Sequence, residues 1–392
     1  MTLIPTGHEQ SPPDNLAQPP AVDFPHEILC FILHLCVPPS GHTKAEIRRR
    51  RRALYRYAHV NSRWHAAAFD QAVRSVFINA HANGWSQDEA TATRWVTEAK
   101  EHADSRGRGI RELVLFGEKH LPDQSLQAMF QQFDQLEHLV VVKSRNPRSL
   151  LGSTTIRHLQ VLETASPSFL GIYSNLRRLD IIGCRGEALP STLTNANFPS
   201  LDTLVLDLLA PRRGIQIKTY QGRGVTDSVR PPNVRALALR GQGHPFLREV
   251  LAFQTRLEHL YLGVPRAETF DYLHALPCPI SSLWVEHTVE EQAEDHAALL
   301  PWQPHLAPAL SATAFDHTSL KRIGLAYYDS PDQAVDLLDD WLISFASAVA
   351  KAMALRGLDL DVRWATPACV LEEWDPLRQE EPARFLGLGI RG

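Results

Sequence analysis

One spacing governs what this chain can fold into: aliphatic-x-x-aliphatic-x-aliphatic, which recurs ten times. It falls at Ile110-Leu113-Leu115, Leu136-Leu139-Val141, Ile156-Leu159-Val161, Leu176-Leu179-Ile181 and Leu201-Leu204-Leu206. It continues at Val234-Leu237-Leu239, Leu257-Leu260-Leu262, Ile280-Leu283-Val285, Leu320-Ile323-Leu325 and Leu355-Leu358-Leu360. Six of the nine intervals between starts are 20–26 residues, the period of a solenoid unit. Leu, Ile and Val are common enough here that about five such frames would arise by chance, so ten at a near-constant period is a pattern. In each unit the last two aliphatics alternate with an outward residue, as a half-buried strand requires. A lone strand of this kind cannot cover its apolar side, whereas stacked neighbours can, which predicts a curved parallel sheet. The 33- and 40-residue intervals after Leu201 and Ile280 require inserted loops, 211–232 and 286–319, or extra helices.

The frame also assigns a face. Residues between the last two aliphatics point away from the core, giving a column of Val114, Val140, Gln160, Asp180, Val205, Ala238, Tyr261, Trp284, Gly324 and Asp359. Val140, Gln160, Asp180, Tyr261 and Trp284 are the candidate target-binding residues. Tyr261 and Trp284 are expected side by side and partly exposed, where large aromatics act as binding anchors. The competing expectation is that a loop or the C-terminal segment covers the column, because so many valines should not face water.

Ahead of the repeats the periodicity is helical. Residues 1–22, with five prolines and little to bury, read as a disordered tail. Residues 23–73 read as a helical module, 74–364 as the solenoid and 365–392 as a C-terminal cap or tail. Pro25 suits the start of a helix whose apolar face is Ile28, Leu29, Ile32 and Leu35, stopped by Pro38-Pro39-Ser40-Gly41. A second helix is expected over about 44–58, and a third behind Asn61 as N-cap. A short strand follows at 76–78, then a helix opened by Ser86 and Glu89.

Composition narrows the function classes. The chain has 392 residues, 44% apolar, enough for a continuous core. A net charge of −4 argues against a protein built around nucleic-acid phosphates. The run Arg48 to Arg52 reads first as a solvated helix face and second as an import signal or phosphate patch. Five scattered cysteines with no C-x-x-C pair suit free thiols in the cytoplasm or nucleus, and no stretch reads as a secretory signal or membrane span. No nucleophile elbow, phosphate loop, dinucleotide fingerprint or zinc-protease motif occurs. Cys30, His34, Cys36 and His42 lack a finger spacing. The chain therefore reads as a binding protein with no catalytic residues, metal or cofactor.

The ten units resemble leucine-rich repeats. That family places Asn or Cys eight residues after the first aliphatic, and here Cys184 alone fits, so an irregular convex side is expected. The helical segment resembles an F-box: Asp23-Phe24-Pro25-His26-Glu27-Ile28-Leu29 matches its opening, and Val60-Asn61-Ser62-Arg63-Trp64 its closing helix. The fold class this implies is α/β, a three-helix F-box-like module before a curved leucine-rich-repeat solenoid with parallel strands on its concave face. An F-box before leucine-rich repeats is the order of fungal substrate receptors. The resemblance implies docking on the Skp-type adaptor of a cullin–RING ubiquitin ligase through Phe24, Pro25, Ile28, Leu29, Ile32, Val60 and Trp64. It implies an unknown target held by the repeats, and a monomer within a hetero-complex. The alternative is a repeat scaffold with no part in ubiquitin transfer, whose helices only cap the solenoid.

Overall fold

A computed structural model describes residues 24–37, 44–73, 75–79, 101, 109–116, 133–142, 150–151, 153–164, 167–210, 230–241, 244–263, 272, 276–288, 320–328 and 359–364. The chain forms two compact units, Met1–Ala72 and Val73–Gly392.

The first unit holds three helices: α1 (His26–Cys36), α2 (Lys44–Ala58) and α3 (Ser62–Val73). Pro25 occupies the cap position of α1. Asn61 caps α3, its Oδ1 accepting from the backbone N–H groups of Arg63 and Trp64 at 3.0 Å each, which satisfies donors that a helix start leaves free. The core is Leu29, Leu33 and Val37 of α1, Leu54 of α2, and Ala67 and Ala68 of α3.

The second unit is α/β and is organised by one parallel sheet of eleven strands, a repeat solenoid in architecture. In sheet order these are β1 (Ser75–Asn79), β2 (Glu112–Phe116), β3 (His138–Val142), β5 (His158–Leu162), β7 (Arg178–Arg185), β8 (Thr203–Leu209), β9 (Ala236–Gly241), β10 (His259–Gly263), β11 (Ser282–Thr288), β12 (Arg322–Tyr328) and β13 (Asp359–Trp364). A small parallel pair, β4 (Leu150–Leu151) and β6 (Phe169–Leu170), forms a second sheet. The described connections include α4 (Leu189–Thr192) and α5 (Pro245–Ala252).

The ladder follows the predicted frame. Leu113, Leu139, Leu159, Leu179, Leu204, Leu237, Leu260, Leu283 and Ile323 are register partners in succession. The first aliphatic of each unit from Ile110 to Leu320 is buried, and these residues join the register partners from Leu113 to Leu283 in one continuous core. Each covers its neighbour, which is why the repeat folds as an array and not as separate units.

Two features depart from the frame. The expected strand at 76–78 is the first strand of the same sheet, with Phe77 in register with Val114. Val73-x-x-Val76-x-Ile78 satisfies the frame, so the array starts one unit before Ile110. The last unit is slipped by two residues: Gly324 pairs with Asp361, not Asp359. Leu360 and Val362, not Leu358 and Leu360, are in register with Ile323 and Leu325. The helix expected after Ser86, the loops 211–229 and 289–319, and the terminal segments 1–22 and 365–392 lie outside the described residues.

Candidate functional site

In the helical unit the sequence pattern cannot assign sides, because α1 is apolar nearly all round, and the structure separates two stripes. Leu29, expected to face an adaptor, is 2% exposed and belongs to the module's own core. Ile32 and Trp64 are half-buried; Trp64 stacks on Tyr57 with ring centroids 5.5 Å apart. Facing outward are Phe24, Ile28, Phe31 and Leu35, at 38, 40, 43 and 67% exposure, with Pro25 and Val60 also exposed. Ile28, Phe31 and Leu35, at steps of three and four, make one line along the helix, and Phe24 lies exposed just ahead of its N-cap. Leaving such side chains in water forgoes about 1.5–3 kcal/mol for each one that burial would gain. The apolar face expected as Ile28, Leu29, Ile32 and Leu35 is thus corrected to this line, in which Phe31 is a residue the motif match did not select. The signal was present as a heptad-like spacing.

On the sheet, the column between the core aliphatics lies in register as expected: Val114, Val140, Gln160, Asp180, Val205, Ala238, Tyr261 and Trp284. Its exposure differs. Tyr261, expected partly exposed, is fully buried, and Val140, Gln160, Asp180 and Trp284 are buried as well. The column is therefore not an open contact surface, and the physical reason is its chemistry. Val114, Val140, Val142 and Leu162 form an apolar cluster of their own, with Phe116 and Ile182 against it.

Beside that cluster lies a polar network that the frame did not single out. The Asp180 carboxylate accepts from Arg178 Nε at 2.8 and 3.1 Å, from His158 Nε2 at 2.9 Å and from Gln160 Nε2 at 2.7 Å. One strand further, the His158 ring stacks on His138 at 4.3 Å and 3°, and His138 Nδ1 lies 3.4 Å from Glu112 Oε1. Glu112, His138, His158 and Arg178 are register partners on β2, β3, β5 and β7, so the pairing of neighbouring strands is what lines them up on one face. Burial by itself would raise the Asp180 carboxyl. Arg178 and His158 overcome it and hold the group well below the ordinary carboxylate range. Burial, and next the like charge of His138, bring His158 down to about 4. The network is thus an ionised Asp180 paired with Arg178 and supported by a neutral His158 at pH 7. Among the described residues no hydroxyl or thiol bonds to His138 or His158, so this array holds no nucleophile. His259 Nδ1 and Ser282 Oγ are 2.7 Å apart, but Ser282 is buried and Glu258 is committed to Arg235 at 2.8 and 2.9 Å.

Cys184, expected in the turn, stands instead inside β7 just after its irregularity and pairs with Leu208. It is fully buried, with Thr164 N 3.3 Å and Val161 O 3.4 Å from its sulfur, and burial pushes its thiol up to about 12. It serves backbone groups, not chemistry. Gln254 ties adjacent units in the same way, accepting from Val234 N at 2.8 Å and donating to Pro232 O at 3.0 Å and Val250 O at 2.9 Å. For the expected absence of metal ligands, Cys30 Sγ contacts His26 Nε2 at 3.4 Å, while the His34 side chain and His42 lie outside the described residues. Among those residues no group of three His, Cys, Asp or Glu side chains is placed to hold a metal ion, and no helix is long and apolar enough to cross a membrane.

No family model matches this sequence, and no curated protein or solved structure is significantly similar to it.

A further titratable group emerges only in the fold. His244, capping α5, is fully buried, and neither ring nitrogen has a hydrogen-bond partner among the described residues. Burial lowers it to about 4, with Glu187 opposing. His158 and His244 thus bind fewer protons folded than unfolded between about pH 6.5 and pH 4, so stability is full above 6.5 and falls as pH drops through that window. For His244 alone the expected loss between pH 7 and pH 5 is about 2 kcal/mol. Urea unfolding at the two pH values measures it, and His244→Leu should remove that part of the difference.

Proposed function

We propose that this chain is a substrate receptor of a cullin–RING ubiquitin ligase, docking on a Skp-type adaptor through its helical module. The observation that carries this reading is the exposed apolar line Ile28, Phe31 and Leu35 on α1, with Phe24 exposed just ahead of it, while Leu29 and Leu33 form the core. A protein interface needs a dry apolar centre, and these four large apolar groups on a small module supply it. The resemblance of residues 23–29 and 60–64 to an F-box names the partner. The repeats, read as leucine-rich, then carry a target protein, and the chain works in the cytoplasm or nucleus as one subunit of a hetero-complex.

Val140, Gln160, Asp180, Tyr261 and Trp284 support that arrangement as the packed second face of the sheet, not as contact residues. The scaffold alternative makes the helices a cap alone, and the outward apolar line is what disfavours it.

The test is capture of the adaptor by the full chain and by Ile28→Asp. Ile28 is outside the module core, so the variant should keep its helical circular dichroism and lose at least about thirtyfold in affinity, the weight of an interface anchor. A wild-type chain that never recovers the adaptor from extract, or an Ile28→Asp chain that recovers it undiminished, removes the proposal.

A further inference from the structure

The outward side of α2 is chemically unlike that of α1. Arg49, Arg52, Tyr55, Arg56 and His59 are all exposed, while Ala53, Leu54, Tyr57 and Ala58 turn to the module's core. Steps of three and four set Arg49, Arg52 and Arg56 in one line, about 10 Å long at the helical rise. No carboxylate among the described residues pairs with any of the three. Tyr55 is 66% exposed and packs edge-on against His59, ring centroids 4.3 Å apart. Like charges at these spacings weaken a helix, although Arg56 stands in the last turn of α2, where the helix dipole favours a cation.

We propose that this line receives the acidic rim of a protein partner. Arginine and tyrosine are the side chains that concentrate binding energy at protein interfaces, and guanidinium forks match carboxylates in geometry. A protein fits better than a polynucleotide. Three guanidiniums release few counterions from a phosphate backbone, and the chain's net charge of −4 opposes a polyanion at longer range. The inference rests on the docking reading only in taking the same adaptor as the partner. There α1 supplies the apolar centre, and α2 supplies charge that speeds encounter and fixes orientation.

Association of the full chain with purified Skp-type adaptor is to be followed at rising sodium chloride. The variants are Arg49→Gln/Arg52→Gln/Arg56→Gln and the corresponding triple change to glutamate. The neutral triple variant, which keeps good helix formers, should associate about tenfold more slowly with a flatter salt dependence, and the acidic one more slowly still. Dissociation should change little in both, in contrast to Ile28→Asp. Triple variants with the wild-type association rate and salt slope overturn the inference and leave the docking reading standing. Should the wild-type chain fail to bind the adaptor, the docking reading falls and a labelled polyglutamate peptide decides the inference. Binding to wild type that weakens about tenfold in the neutral triple variant supports it. Equal binding to both, or tighter binding of single-stranded RNA than of the peptide, overturns it.

Discussion

Asp180→Ala should destabilise the sheet unit by about 3–5 kcal/mol, the cost of removing one partner from a buried ion pair. The carboxylate is fully buried and takes hydrogen bonds from Arg178, His158 and Gln160. Alanine leaves Arg178, itself 8% exposed, as a buried cation without its counter-charge. It also frees the Gln160 and His158 donors from the acceptor that justified their burial. Asp180→Asn preserves the shape and one acceptor oxygen but loses the charge and turns an amide N–H group toward neighbouring donors, so it should fall between wild type and alanine. A combined Arg178→Met/Asp180→Ala variant should be less unstable than the two single losses added together, because removing both charges leaves neither orphaned. Urea unfolding followed by tryptophan fluorescence measures wild type, the three single variants Asp180→Ala, Asp180→Asn and Arg178→Met, and the double variant. An Asp180→Ala midpoint equal to that of wild type would mean that the carboxylate is not enclosed in solution.

Gly241→Ala is the second large effect, expected near 3 kcal/mol or more. Gly241 ends β9 at φ +148, where a side chain strains the backbone, and a Cβ there would sit 2.6 Å from the Leu208 carbonyl oxygen. The neighbour is main chain in a paired strand, so it cannot swing aside, and backbone strain and overpacking of about 1–3 kcal/mol each combine. Gly183 provides the contrast. It lies at the irregularity between Ile182 and Cys184 with φ +63, and the nearest atom to an added Cβ is the Glu163 side chain at 3.5 Å. Gly183→Ala should cost only the left-handed penalty, about 1–2 kcal/mol. Thermal unfolding of both variants separates the two origins. Equal losses would show that the Leu208 carbonyl yields.

These expectations also bear on how the site residues are read. Asp180 was selected for its place in the column and holds that place, but its chemistry is directed inward. The outward line on α1 was only half visible. Phe24 and Ile28 came from a motif resemblance, while Phe31 and Leu35 share their side of the helix by spacing alone. Leu29 was assigned the same role and is core. Along α1 the apolar residues occupy every side, so periodicity has no unique solution, and packing against Leu54, Ala67 and Ala68 makes the choice.

From the residues alone came the strand positions of nearly every repeat unit, because a two-residue alternation inside a near-constant period is a local property that needs no knowledge of distant contacts. The cap at Asn61, the bounds of α2 and the service of Cys184 to backbone groups were legible for the same reason. Only tertiary structure could set the two-residue slip at β13, which depends on pairing with β12. It also decided that the central column of the sheet's second face, from Val114 to Trp284, is buried, since a pattern of alternation says which residues point together but not what lies over them. The network around Asp180 and the enclosed His244 required it as well. The first joins Asp180 to His158 and Gln160, twenty or more residues away, and the second packs His244 against Gly186; whether a polar group is solvated or paired is decided by the neighbours that folding brings to it.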